Sequence, residues 1–201
     1  MSRMVLAATT CRLAALLLAL GLSACASGRP AAGPTLAASS LHPGITCAPF
    51  ARELSGIALY GEADNWWMAA TGRYARSAQP EVGAVLVLRR GGRLPSGHVA
   101  VVSRLLAARQ VLVIQANWVP DELTEDQLVV DVSPRNDWTE VRIWWPPTNS
   151  LGSHTYPAYG FILPATPVTH EVLRRAAWPA ARLALNAGTG RPPPRARGLG
   201  G

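Results

Sequence analysis

Apolar and polar positions along the chain follow two different periods, with the change near position 83. Before it the spacing is helical. In 47–54, Phe50 and Leu54 fall on one side, Arg52 and Glu53 on the other, and Gly56 follows as a stop signal. A second short helix is predicted over 64–70, carrying Trp66 and Trp67, and 76–81 reads as a polar turn. After position 83 the apolar runs are short, rich in Val and Ile, and bounded by turn residues. They predict strands at 83–88, 97–105, 111–115, 128–132, 141–145 and 159–163. A further helix is predicted over 169–185. Helices followed by a run of strands imply an α+β fold with an antiparallel sheet.

The two ends read differently. Residues 1–25 have the form of a secretory signal: Arg3 gives a positive start, and the apolar stretch 13–20 is too short to span a bilayer comfortably. The stretch closes on Leu22-Ser23-Ala24-Cys25, which resembles the lipobox of bacterial lipoproteins. That resemblance implies cleavage before Cys25, lipidation of its thiol, and a lipid-anchored protein of the bacterial cell envelope, periplasmic by expectation; plain secretion is the alternative. Cys11 would be discarded with the leader, and a Cys25–Cys47 disulfide is the rival use of the two remaining thiols. Residues 26–41, rich in Ala, Ser, Gly and Pro, read as a linker. The folded unit is expected over 42–164, a helix within 165–187, and a basic, unstructured tail over 188–201. The chain beyond Leu163 is expected to be dispensable for chemistry and to help surface binding.

Charge changes the picture only by its location. The chain has 201 residues and a formal net charge of +7, with arginine as its sole basic residue besides histidine. The leader holds +2 and residues 164–201 hold +5, whereas 26–163 carry 11 Arg against 11 carboxylates. A neutral central domain has no footprint for a phosphate backbone, so nucleic acid is excluded as a partner.

The candidate chemistry lies in that neutral domain. Cys47 at a helix start faces unsatisfied backbone N–H groups and the positive end of the helix dipole, which favour thiolate. His98 opens the run Gly97-His98-Val99-Ala100-Val101-Val102 at a strand start and is the candidate base. Gln115 and Asn117 follow in Gln115-Ala116-Asn117-Trp118 and, by strand alternation, share one face. Cys, then His, then Asn is the chain order of papain-type thiol sites. Asn117 is therefore the first candidate to orient His98 and Gln115 the second; Trp118 reads as a shield. His42, His154 and His170 read as turn histidines facing solvent. Asp121, Glu122, Glu125 and Asp126 read as a solvated acidic loop, without the ordered spacing of a calcium site.

These pieces together resemble the CHAP domain, the cysteine- and histidine-dependent amidohydrolase/peptidase superfamily of papain-like enzymes. The resemblance spans 44–163 and includes the closing strands. It implies a papain-like α+β fold, with N-terminal helices carrying Cys47 packed on the antiparallel sheet. It implies a thiol-dependent amidase or endopeptidase acting on the peptide stems of peptidoglycan. Cys47 would attack, His98 would relay the proton, Asn117 or Gln115 would orient the ring, and no metal or organic cofactor would be needed. A catalytically silent, cell-wall-binding or scaffolding lipoprotein on the same fold is the alternative, because the position of Gln115, often acidic in the family, is a neutral amide here.

Overall fold

The computed structural model describes residues 40–187. The leader with Cys25, nearly all of the linker and the 188–201 tail lie outside them.

The first helix, α1 (Cys47–Ser55), begins where Thr46 adopts an extended backbone and its carbonyl accepts from Phe50 N–H. Pro49 falls in the first turn, where its missing N–H has no intrahelical partner to lose. Gly56 ends the helix in the left-handed region at φ 71°, its N–H returning to Arg52 O at 3.0 Å. The inward face buries Phe50, Ala51 and Leu54. Arg52, expected on the outer side, is buried too. Its guanidinium lies 4.6 Å over the Tyr60 ring and Nε donates to Glu53. A 3-10 turn at Ala63–Asn65 leads into α2 (Trp66–Ala69), whose Trp66 is fully buried.

The strands are β1 (Ser40–Leu41), β2 (Arg76–Ser77), β3 (Val85–Leu88), β4 (His98–Ala107), β5 (Gln110–Ala116), β6 (Glu122–Asp131), β7 (Glu140–Trp145), β8 (Ser150–Leu151) and β9 (Tyr156–Ile162). Pairing is antiparallel and runs β6-β5-β4-β3-β9-β7, and β7 then returns to β6 through Val129↔Ile143 and Asp131↔Val141. The sheet thus closes into a barrel, which the sequence pattern did not predict. Closure leaves these strands without a free edge and buries both faces where helices cover the outside. In β3, Val85 and Val87 pack in the helix-side core while Leu86 and Leu88 fill the interior with Trp138 and Phe161. A continuous apolar run replaces alternation for that reason.

The last helix, α3 (His170–Asn186), is capped by Thr169 Oγ1, which accepts from Val172 N–H. Leu173, Ala177, Ala180, Ala181 and Ala184 are buried in the same core as α1. Its small residues permit close approach, so this helix beyond Leu163 is part of the packed core. Two polar ties fasten the helix: His170 Nε2 lies 3.2 Å from Asp126 Oδ1, and Arg174 Nε lies 3.5 Å from Glu125.

Those ties correct two more expectations. Glu122, Glu125 and Asp126 belong to strand β6, not to a solvated loop, and Glu125 and Asp126 are buried. Asp126 also accepts from Ser103 Oγ at 2.8 Å. His170 is thus not a free turn histidine. Nor is His42, which is buried edge-on against Trp178 with ring centroids 4.9 Å apart.

Candidate active site

Strand parity puts His98 and Gln115 on one surface. In β4, Ala100 and Val102 face the barrel interior, and so do Val111 and Val113 in β5. His98 and Gln115 continue those alternations toward the barrel's end. Extending the Val101↔Ile114 register by one pair sets Gln115 opposite Ala100, diagonal to His98. A long side chain spans that diagonal. His98 Nε2 donates to Gln115 Oε1 at 3.0 Å, with both residues buried. An amide oxygen only accepts, so this bond keeps the proton on Nε2 and leaves Nδ1 as the ring nitrogen for Cys47.

Asn117 does not hold the ring. The chain leaves the strand at Asn117, which adopts φ 58°, so the alternation placing it beside Gln115 stops there. Asn tolerates this left-handed conformation better than most residues. Its N–H donates to Glu122 O at 2.7 Å and its Oδ1 accepts from Asp121 N–H at 3.0 Å, closing the β5–β6 hairpin. Asp121 in turn accepts from Gly44 N–H and, through its backbone oxygen, from His42 N–H, tying the segment before Cys47 to this hairpin. The expected order of the two amides is therefore reversed: Gln115 meets the imidazole, and Asn117 shapes the rim.

Cys47, the first residue of α1, is half-buried and faces the same imidazole. Burial pushes its thiol up. The His98 ring, by charge and by hydrogen bond, and the backbone N–H groups of Val99 and Ala48 pull further the other way, so the thiol lies below its ordinary range. No acidic residue occupies the first turn of α1 to compete for the helix's positive end.

Two features hold this geometry. Gly97, immediately before His98, has φ 71°, and a Cβ there would stand 2.7 Å from Asp64 and from Leu88 O. Only glycine lets the turn pass so close to the 3-10 segment, where Asp64 N–H donates to Ser96 O. Trp118 is the second: its ring lies 5.1 Å from the His98 ring and its Nε1 donates to Trp144 O. It closes off the imidazole on that side and also packs edge-on against Tyr156.

A cleft of about 640 Å³ opens on this assembly, lined by Cys47, His98, Asn117, Arg52, Glu62 and Arg93 among others. Arg52 and Arg93 escaped the sequence reading. Arg52 looked like a solvated helix position, and Arg93 lies in a Gly-rich turn whose nearness to the site depends on the fold.

A thiol below its ordinary range, a buried imidazole and an amide that fixes the ring's tautomer form the kind of assembly used in nucleophilic acyl chemistry. The comparison with protein families agrees with that class. Residues 38–117, which include Cys47, His98, Gln115 and Asn117, match the CHAP domain. That family is one of amidase- and peptidase-type hydrolases associated with peptidoglycan. No curated protein matches the chain.

Proposed function

We propose that the protein is a thiol-dependent amide hydrolase that cuts the peptide part of peptidoglycan, as an amidase or an endopeptidase. One observation carries the reading: Cys47 faces a His98 ring whose other nitrogen is held by Gln115. Cys47 thiolate attacks the carbonyl carbon of the scissile amide. Backbone N–H groups at the start of α1 are the nearest preorganised donors for the oxyanion that forms. His98, protonated in the ion pair, gives its proton to the departing amine, then accepts one from the water that attacks the thioester. Gln115 keeps the ring oriented through both steps.

Attachment at the cell envelope through Cys25 belongs to the same proposal. It rests on the leader's sequence, and it would bring the cleft to the polymer.

A silent wall-binding role draws support from one feature. Gln115 is neutral, so it steadies an imidazolium less than a carboxylate would. Isolated murein sacculi incubated with the purified chain decide between the two. Release of peptide fragments seen by mass spectrometry, abolished in Cys47→Ala, supports the hydrolase. Sacculi that bind the protein and stay intact support the silent role.

A further inference from the structure

Arg89, Arg90 and Arg93 lie close together in sequence, and the first two are engaged within the fold. Arg89 donates to Ala158 O and lies over the Tyr159 ring. Arg90 is held by Asp64 and Glu62. Arg93 is different. It sits at the tip of the Gly91–Leu94 turn, exposed, and among the described residues it makes no ion pair and no side-chain hydrogen bond. The turn is braced by reciprocal Gly91 and Leu94 backbone bonds, and Gly97 N–H donates back to Leu94 O. A braced turn four residues before Gly97 thus presents a free guanidinium.

Its position is central. Arg93 lines the cleft that holds Cys47 and His98, and also a depression of about 430 Å³ walled by Trp118, Trp145 and Tyr156. A third hollow of about 210 Å³ shares it as well. A chain extended from Cys47 toward the aromatic depression passes this side chain.

The cleft offers a second sign of what it takes. Arg52 also lines it, is 7% exposed, and has its Nη1 buried with no partner among the described residues. An unpaired buried donor of a charged group is costly unless an acceptor arrives. Glu62, the carboxylate lining the cleft, is already paired: its two oxygens accept from Arg90 and from Ser96 Oγ. The exposed, unengaged cation of the wall is therefore Arg93, while the cleft's carboxylate is already paired.

We propose that Arg93 recognises a carboxylate next to the scissile amide, so that the preferred substrate is an acidic peptide. This rests on the amide-hydrolase reading and names its substrate class. An Arg–carboxylate contact is charge-assisted and can be bidentate, which gives selectivity against the uncharged amide of the same shape.

The test measures binding, so it does not require turnover. The full chain carrying Cys47→Ala is titrated calorimetrically with two blocked tetrapeptides, Ala-γ-Glu-Lys-Ala with a free α-carboxylate and the same peptide as its α-amide. The acid is expected to bind on the order of tenfold more tightly at low salt, and this preference shrinks as salt rises. Adding Arg93→Gln removes the preference, and Arg93→Lys restores part of it. Arg93 is an exposed turn residue, and circular dichroism confirms that these variants fold. Equal affinity for the two peptides, no measurable binding of either, or an acid preference that persists in Arg93→Gln overturns the proposal. Intact sacculi alongside a preserved acid preference would instead sink the hydrolase reading and leave only carboxylate binding by Arg93, without a scissile amide beside it.

Discussion

His98 Nε2 donates to Gln115 Oε1 across 3.0 Å inside the barrel's end, while Asn117, two residues on, spends its side chain on the Asp121 N–H. The two amides therefore differ in what their removal does. Gln115→Ala frees the ring to turn and to change tautomer. It is expected to lower turnover by roughly ten- to a hundredfold, about 1.4–2.8 kcal/mol of barrier. Gln115→Glu keeps an acceptor on Nε2 and is expected to recover most of the loss. Asn117→Ala acts on the hairpin: a Cβ residue without a polar side chain at φ 58° costs about 1–2 kcal/mol of stability. Its turnover per folded molecule should fall less than that of Gln115→Ala. Steady-state kinetics and denaturant melts on the three variants check this, and a larger kinetic loss in Asn117→Ala would reverse the assignment.

The thiol makes a prediction about pH. Cys47 is held below its ordinary range by His98 and by backbone N–H groups, against the effect of burial. Iodoacetamide should label it below the free-thiol value of about 8.5, and His98→Ala should move the labelling limb upward. Stability follows with a definite sign. The folded value lies below the unfolded one, so the thiolate stabilises the fold above the unfolded value and loses that contribution as pH falls through the folded one. The stability difference between the native chain and Cys47→Ser should therefore grow with pH between those two values. A difference that is flat across that range would contradict it.

How far the sequence revealed this arrangement depended on the reach of each signal. Cys47 and His98 stood out because each opens an element marked locally, by Gly56 after the helix and by Gly97 before the strand. Gln115 was legible as a candidate because parity along β5 is local. Its priority over Asn117 was not, since alternation assumes the strand continues and the chain turns at Asn117. Barrel closure depends on β9 pairing with β3, as in Val85↔Ile162, a register between residues far apart in sequence that leaves no periodic trace. Arg52 looked like an outward helix position because its cover, the Tyr60 ring, comes from beyond the helix. Helix α3 was visible as a helix, but its alanine-rich inward face carries little hydrophobic signal while packing closely on α1.

That packing predicts the effect of shortening the chain. Leu173 is 1% exposed and lies in the core shared with α1. Leu173→Ala should cost about 2–5 kcal/mol and lower Tm by roughly 5–15 °C. Leu183→Ala, at a position 55% exposed, should change stability by no more than about 0.5 kcal/mol. Ending the chain at Pro164 removes the whole face together with the Asp126 and Glu125 ties, and should abolish a cooperative melt. A truncated chain that melts cooperatively near the native Tm would show that α3 is not part of the core.

Gly97 links stability to chemistry most directly, because the residue after it is His98. Its φ of 71° is unfavourable for a side chain, and a Cβ would meet Asp64 Cβ, Asp64 N and Leu88 O at 2.7 Å each. Two of those three atoms are backbone and cannot swing aside. Gly97→Ala should therefore cost roughly 2–4 kcal/mol, combining the left-handed penalty with overpacking. Relief has to come from moving the turn, and the turn carries His98 with it. The variant should consequently lose the low-pH labelling of Cys47, its limb rising toward that of His98→Ala, under conditions where circular dichroism shows it folded. Leu173→Ala is the matched control. It loses similar stability from helix α3 and leaves the Gly97 turn unaltered in sequence, and its labelling limb should stay where the native one lies. If both variants label like the native chain, Gly97 serves the fold alone and the His98 position does not depend on it.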